Sequence, residues 1–119
     1  MSVTKKILVI DDEQGIRDML SFALQGEGYS VITAADGIEG IMKYTGEKID
    51  AVISDIKMPG LDGLAVLEEI KKVEPGAKVI IATGYGSIET ESRILEKGAR
   101  YINKPFEINV LLETLTKLL

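Results

Sequence analysis

Short, uninterrupted apolar runs alternate with longer segments of helical periodicity along the whole chain, and no other feature narrows the fold as much. Residues 7–10, 51–53 and 79–82 are apolar at every position. A strand with one wet face would alternate, so these runs predict central parallel strands covered by helices on both sides. Residues 31–35 and 100–102 are shorter or more polar, as strands at sheet edges are, and they read as the second and fifth strands. Between the strands, Ile16, Met19, Leu20, Ala23 and Leu24 make one apolar helical stripe, closed by Gly26 and Gly28. Asp36-Gly37 opens a second helical segment reaching about Gly46, and Asp62-Gly63 opens a third carrying Val66, Leu67 and Ile70. A fourth covers residues 87–97, and a fifth, residues 108–119, sets Ile108, Leu111, Leu112 and Leu115 on one docking face. Five strand-helix units with right-handed crossovers make a doubly wound, five-stranded parallel α/β sheet. With strands two and five at the edges the order 2-1-3-4-5 follows, while periodicity alone leaves 3-2-1-4-5 open.

No linker, repeat or low-complexity tract interrupts the 119 residues, so residues 1–119 are expected to form a single domain. A chain of this size buries roughly two-thirds of its unfolded surface, enough for a core without staples. There is no cysteine, hence no disulfide framework and no thiolate metal site. Histidine is also absent, which removes the commonest general base, the commonest zinc ligand and any phosphohistidine within this chain. Chemistry must run on carboxylates, hydroxyls and lysines. The net charge of −5 with scattered Lys and Arg offers a phosphate backbone no footprint, and no apolar run approaches the ~20 residues that span a bilayer. The expectation is a soluble, cytoplasmic protein with no direct nucleic-acid or membrane contact.

In the 2-1-3-4-5 order the switch point lies between strands one and three, and ligands of such sheets bind there, beyond the carboxyl ends. Asp11 and Asp12 follow the first strand, Asp55 ends the third, Thr83 ends the fourth and Lys104 follows the fifth. Each has an ordinary structural reading: Asp12 as a helix cap, Asp55 as an Asx-turn, Thr83 bonded to a loop amide, Lys104 solvated. Together they deliver three carboxylates, a hydroxyl and an ammonium to one rim. Carboxylates about 5 Å apart repel by roughly 3 to 4 kcal/mol per pair at an effective dielectric near 20, so a cation must compensate them. Oxygen-only ligands select a hard ion, Mg²⁺ or Mn²⁺. Such a metal beside an ammonium and a hydroxyl suits a phosphoryl group, and phosphoryl transfer is the reaction class.

From ILVIDDE through ISDIKMPGLDG and IATGYGSIE to YINKPF, the chain resembles the receiver domain of bacterial two-component response regulators over essentially its whole length. The resemblance implies a flavodoxin-like (βα)5 fold and a phosphorelay role: Asp55 as phosphoacceptor, charged by a partner histidine kinase or histidine phosphotransfer protein. It implies that Asp12 and Asp55 bind Mg²⁺ directly, Asp11 partly through water, and Lys57 through its backbone carbonyl. Lys104 would pair with the phosphoryl oxygens and Thr83 would hydrogen-bond one of them. Tyr101 matches the aromatic position that changes rotamer on activation, with a half-buried edge-strand aromatic as its structural alternative. The output would be a switch in the face built by the fourth helix, fifth strand and fifth helix, read by a downstream output protein or effector domain. Lys104-Pro105 is expected to be cis. The chain would be a signalling protein rather than an enzyme, although it would catalyse its own phosphorylation and slow dephosphorylation. Since it ends with the fifth helix, either it works alone or an effector domain lies outside the sequence.

Three other readings compete. A phosphatase forming an aspartyl-phosphate would need an Asp two residues after the acceptor, where Lys57 stands. A flavin or nucleotide binder would need a glycine- or hydroxyl-rich phosphate loop after the first strand, where Asp11, Asp12 and Glu13 stand. Neither Gly84-Tyr85-Gly86 nor Gly26-Glu27-Gly28 extends to the dinucleotide spacing. A receiver fold that binds partners without phosphorylation would not need Asp55, Thr83 and Lys104 together. Met58-Pro59-Gly60 and Asp62-Gly63 read as turn chemistry. Asp36 reads as a cap, Asp50 as a strand-start residue, and Glu13 as a first-turn acid favoured by the helix dipole, outside the site.

Overall fold

A computed structural model of the chain describes residues 4–84 and 88–119, so Tyr85, Gly86 and the expected helix start at Ser87 lie outside the described residues. Strand and helix alternate as β1 (Lys6–Ile10), α1 (Gln14–Gly26), β2 (Ser30–Ala34), α2 (Gly37–Gly46), β3 (Ala51–Asp55), α3 (Gly63–Val73), β4 (Val79–Thr83), α4 (Ile88–Glu96), β5 (Arg100–Asn103) and α5 (Ile108–Leu118). All four strand pairings are parallel and the order is β2-β1-β3-β4-β5, which closes the alternative left open by periodicity.

The apolar runs are continuous because each strand feeds two cores. Leu8, Ile10, Val52, Val79 and Ile81 face α2, α3 and α4, packing with Tyr44, Val66, Leu67, Ile70 and Ile94. Their neighbours Ile7, Val9, Ala51, Ile53 and Ile80 face the other way, onto Leu20 and Leu24 of α1 and Leu111 and Leu115 of α5. Each Val, Leu or Ile side chain among them taken wholly out of water contributes roughly 1.5 to 3 kcal/mol. Every residue of β3 and β4 is buried, whereas β2 and β5 are mostly part-exposed, as edges are.

Local chemistry sets the element ends. Asp36 Oδ1 accepts the Glu39 amide at 2.8 Å and Glu39 Oε1 accepts the Ala35 amide at 2.8 Å. This reciprocal cap draws Ala35 into the start of α2, so β2 stops at Ala34, one residue before its expected end. Asp62 Oδ1 caps α3 at the Ala65 amide, 2.9 Å away. Gly28, with φ +93, turns the chain out of α1. Asp50 Oδ2 accepts the Lys6 amide at 2.8 Å and so ties the start of β1 to that of β3. Among the described residues no helix is long and apolar enough to cross a membrane.

Candidate functional site

The carboxyl ends of β1, β3, β4 and β5 meet at one rim. Asp11 extends β1, its amide bonded to the Ala34 carbonyl at 3.1 Å, and it is only 3% exposed. Asp55, the last residue of β3, is 8% exposed, and the Lys57 amide donates to its Oδ1 at 3.4 Å. Thr83 ends β4 fully enclosed, and its carbonyl accepts the Lys104 amide at 2.8 Å, which fixes where the lysine side chain begins. From there Lys104 Nζ reaches Asp11 Oδ2 at 3.2 Å and Asp55 Oδ2 at 3.3 Å. The Lys104-Pro105 bond is cis, as the resemblance implied.

One carboxylate oxygen from each of Asp11, Asp12 and Asp55 lies within 4.8 Å of the others, with Asp12 the exposed member. Burial pushes the Asp55 carboxyl above its usual range. The Lys104 ammonium pulls it down, the Asp11 charge pushes it up again, and the Lys57 amide and the lysine's hydrogen bond only partly compensate. For Lys104 burial acts to lower the pKa, but the Asp11 and Asp55 carboxylates outweigh it, and the ammonium is held above its ordinary value. The three clustered carboxylates outnumber the Lys104 ammonium that pairs with Asp11 and Asp55. An all-oxygen donor set of three carboxylates fits a hard divalent cation, as the sequence led us to expect.

Beside this cluster opens a cleft of about 950 Å³, lined on its charged side by Asp12, Glu13, Asp55, Lys57 and Lys104. Ile16, Met19, Met58, Pro59 and Phe106 form its apolar wall. Glu13 corrects the sequence reading: it is the N-cap residue of α1, with extended backbone, and stands on the cleft wall instead of within the first turn. Its place directly behind the acid pair was the available signal. The apolar wall carried none, because its members come from α1 and from the loops after β3 and β5.

Tyr101 is not part of the acid cluster. It sits half-buried on β5, packed against the core under α3 and α4, and its hydroxyl hydrogen-bonds Glu91 of α4, which raises its pKa. Ile81 pairs with Tyr101 and Thr83 with Asn103, so Thr83 and Tyr101 point to the same side of the sheet, about 7 Å apart along the strand direction.

Fold and site together define a receiver, and the comparisons agree. Residues 7–116 match the response regulator receiver domain family. The chain is 36% identical over 118 residues to sporulation initiation phosphotransferase F of Bacillus subtilis, a match covering 98% of this chain and 95% of that one. It is 39% identical over 110 residues to the transcriptional regulatory protein GlrR of Escherichia coli, covering 92% of this chain and 25% of that one. Among solved structures, the response regulator TrrA of Thermotoga maritima in complex with Mg²⁺-BeF superimposes with a TM-score of 0.89 at 40% identity, covering 98% of this chain and 100% of that one. The chain belongs to the response regulator receiver domain family and is a signalling protein of two-component type.

Proposed function

We propose that this receiver takes a phosphoryl group on Asp55 from a partner histidine kinase or histidine phosphotransfer protein. One observation carries the reading: Asp55 is the central acid of the rim, with the acid pair on the β1 side and the Lys104 ammonium 3.3 Å from its Oδ2. An Asp55 oxygen forms the new bond to phosphorus while the bond to the donor imidazole nitrogen breaks, its electron pair leaving with the imidazole. That imidazole comes from the partner, since this chain has no histidine. Lys104, released from its carboxylates, neutralises a phosphoryl oxygen, and the Thr83 hydroxyl donates to another. Asp11, Asp12, Asp55 and the Lys57 carbonyl are the ligands we assign to a divalent metal. When bound, Mg²⁺, or Mn²⁺ in its stead, neutralises charge on the phosphoryl oxygens. The Mg²⁺-BeF complex of the Thermotoga relative supports the choice of Mg²⁺.

The same residues make hydrolysis of the acyl phosphate an intrinsic, slow reaction. The chain therefore catalyses its own phosphorylation and dephosphorylation while acting as a signalling protein. Most of GlrR lies outside the match, which supports an effector domain or a separate output protein as the reader of the α4–β5–α5 face. We take residues 1–119 as one domain working in the cytoplasm. Its net charge of −5 argues against direct nucleic-acid contact.

The test is intact mass after incubation with Mg²⁺ and acetyl phosphate. Wild type is expected to gain one labile phosphoryl group and Asp55→Asn none; a labile gain in Asp55→Asn removes the assignment. In a Mg²⁺ titration Asp12→Ala is expected to lose more affinity than Asp11→Ala, because Asp11 is already engaged by the Glu13 amide and Lys104. Equal affinities in wild type and Asp12→Ala would contradict the ligand set.

A further inference from the structure

The acid pair needs a fixed geometry, and a residue outside the cleft supplies it. Arg17 Nη1 donates to the Asp11 carbonyl oxygen at 2.7 Å. Arg17 is half-buried in the first turn of α1, and its own amide is bonded to the Glu13 carbonyl at 3.1 Å, so the side chain springs from a fixed backbone. The carbonyl it holds belongs to the peptide that joins Asp11 to Asp12. A peptide unit is planar, so fixing its oxygen fixes the direction in which the chain carries Asp12 away from β1. Asp11 has other restraints: its amide is bonded to Ala34, its Oδ1 to the Glu13 amide at 2.9 Å and its Oδ2 to Lys104 at 3.2 Å. Asp12 is the exposed acid of the three and depends more on that peptide for its aim.

We propose that Arg17 is a positioning residue, whose guanidinium clamps the Asp11-Asp12 peptide so that the Asp12 carboxylate is presented to a divalent cation beside Asp11 and Asp55. This rests on the metal site proposed above. Arg17 does not line the cleft, and its described hydrogen bond there goes to backbone, so it acts through Asp12 and not on the phosphoryl group. A purely electrostatic role has the opposite sign. A guanidinium near a cation site repels the cation, so removing it would tighten Mg²⁺ binding; loss of positioning loosens it.

Mg²⁺ is titrated into wild type, Arg17→Met and Arg17→Lys at one ionic strength, followed by amide NMR, with thermal unfolding of each. Arg17→Met is expected to bind Mg²⁺ on the order of tenfold more weakly, the lower end of what removing a residue that orients a ligand costs. Its metal-free spectrum should differ from wild type chiefly at Asp12 and Glu13. Arg17→Lys should recover part of the affinity, and saturating Mg²⁺ should restore phosphorylation of Arg17→Met by acetyl phosphate. Mg²⁺ affinity equal to or tighter than wild type in folded Arg17→Met overturns the proposal. Should Arg17→Met fail to fold, Arg17→Gln, which also lacks the charge and the reach, is read by the same criteria. A wild type that binds no Mg²⁺ overturns the metal site itself, and the clamp with it.

Discussion

Asp55 is costly to keep ionised where it stands, and this has a measurable consequence. Its pKa in the folded protein is raised, by burial first and by Asp11 among the charges. The folded state therefore binds the proton more readily than the unfolded state, and above the folded pKa the ionised carboxylate detracts from stability. Asp55→Asn removes that cost. Without metal at pH 7 its melting temperature is expected to exceed that of wild type by a few degrees, given about 4 to 8 °C per kcal/mol for a domain near this size. The difference should close as the pH falls below the ordinary aspartate value of about 3.9; a variant that melts lower at pH 7 contradicts the sign. Gly63 is the second exacting position. A Cβ there would lie 2.4 Å from the Asp55 carbonyl oxygen and 2.7 Å from Ile56 Cα, backbone atoms that cannot swing aside. Gly63→Ala should cost about 1 to 3 kcal/mol in urea unfolding, the range for overpacking, and slow phosphorylation by displacing Asp55; unchanged stability would show that the loop has slack. That Asp11, Asp12, Asp55, Thr83 and Lys104 would stand at one rim was legible in the sequence, because strand ends converge on one edge of this sheet. The Gly63 contact and the Arg17 bond were not, since each depends on how a loop folds back onto the strand beside it.

Among the elements, an ion pair joins the C-terminal end of α4 to α3: Lys97 Nζ lies 2.8 Å from Glu68 Oε1. Lys97, by its hydrogen bond first and its charge second, holds the Glu68 carboxyl below the usual glutamate range. A folded pKa below the unfolded one means that the pair stabilises above the unfolded value and that the benefit is lost as pH falls through the folded value. The window thus lies below about 4.3. Glu68→Gln should melt slightly lower than wild type at neutral pH and converge with it as the pH is taken from about 5 to about 3. A difference that stays constant would mean that the pair contributes nothing through charge. Central and edge strands were readable from composition because double coverage demands apolar residues at successive positions, as in 51–53. The end of β2 was not, because Ala35 fits the strand pattern equally well and is diverted by the Glu39 carboxylate three residues beyond Asp36.

At the scale of the whole molecule, Thr83 at the rim and Tyr101 lower on the neighbouring strand share one side of the sheet, and Tyr101 is bonded to Glu91 of α4. A phosphoryl group that drew the Thr83 hydroxyl inward would change the space above Tyr101 and so open a contiguous route to a remote face. Reversing a one-per-cent active population requires roughly 5.5 kcal/mol. Hydrogen bonds to a charged group are worth about 1.5 to 3 kcal/mol each, so those from Thr83 and Lys104, together with the contact of a bound metal ion, would supply a sum of that size. Thr83→Ala should therefore accept phosphate yet switch poorly: with beryllofluoride, its amide shifts at residues 88–97 and at Tyr101 should fall well short of wild type. Full wild-type shifts would mean that the coupling bypasses that hydroxyl. All of this depends on which acid is charged, and borohydride trapping reads that directly. Reduction of the acyl phosphate converts the acceptor aspartate to homoserine, which peptide mass spectrometry locates. Homoserine at Asp55 alone, formed only after incubation with Mg²⁺ and a phosphodonor, is the predicted result; homoserine at Asp11 or Asp12, or at no aspartate, would contradict it.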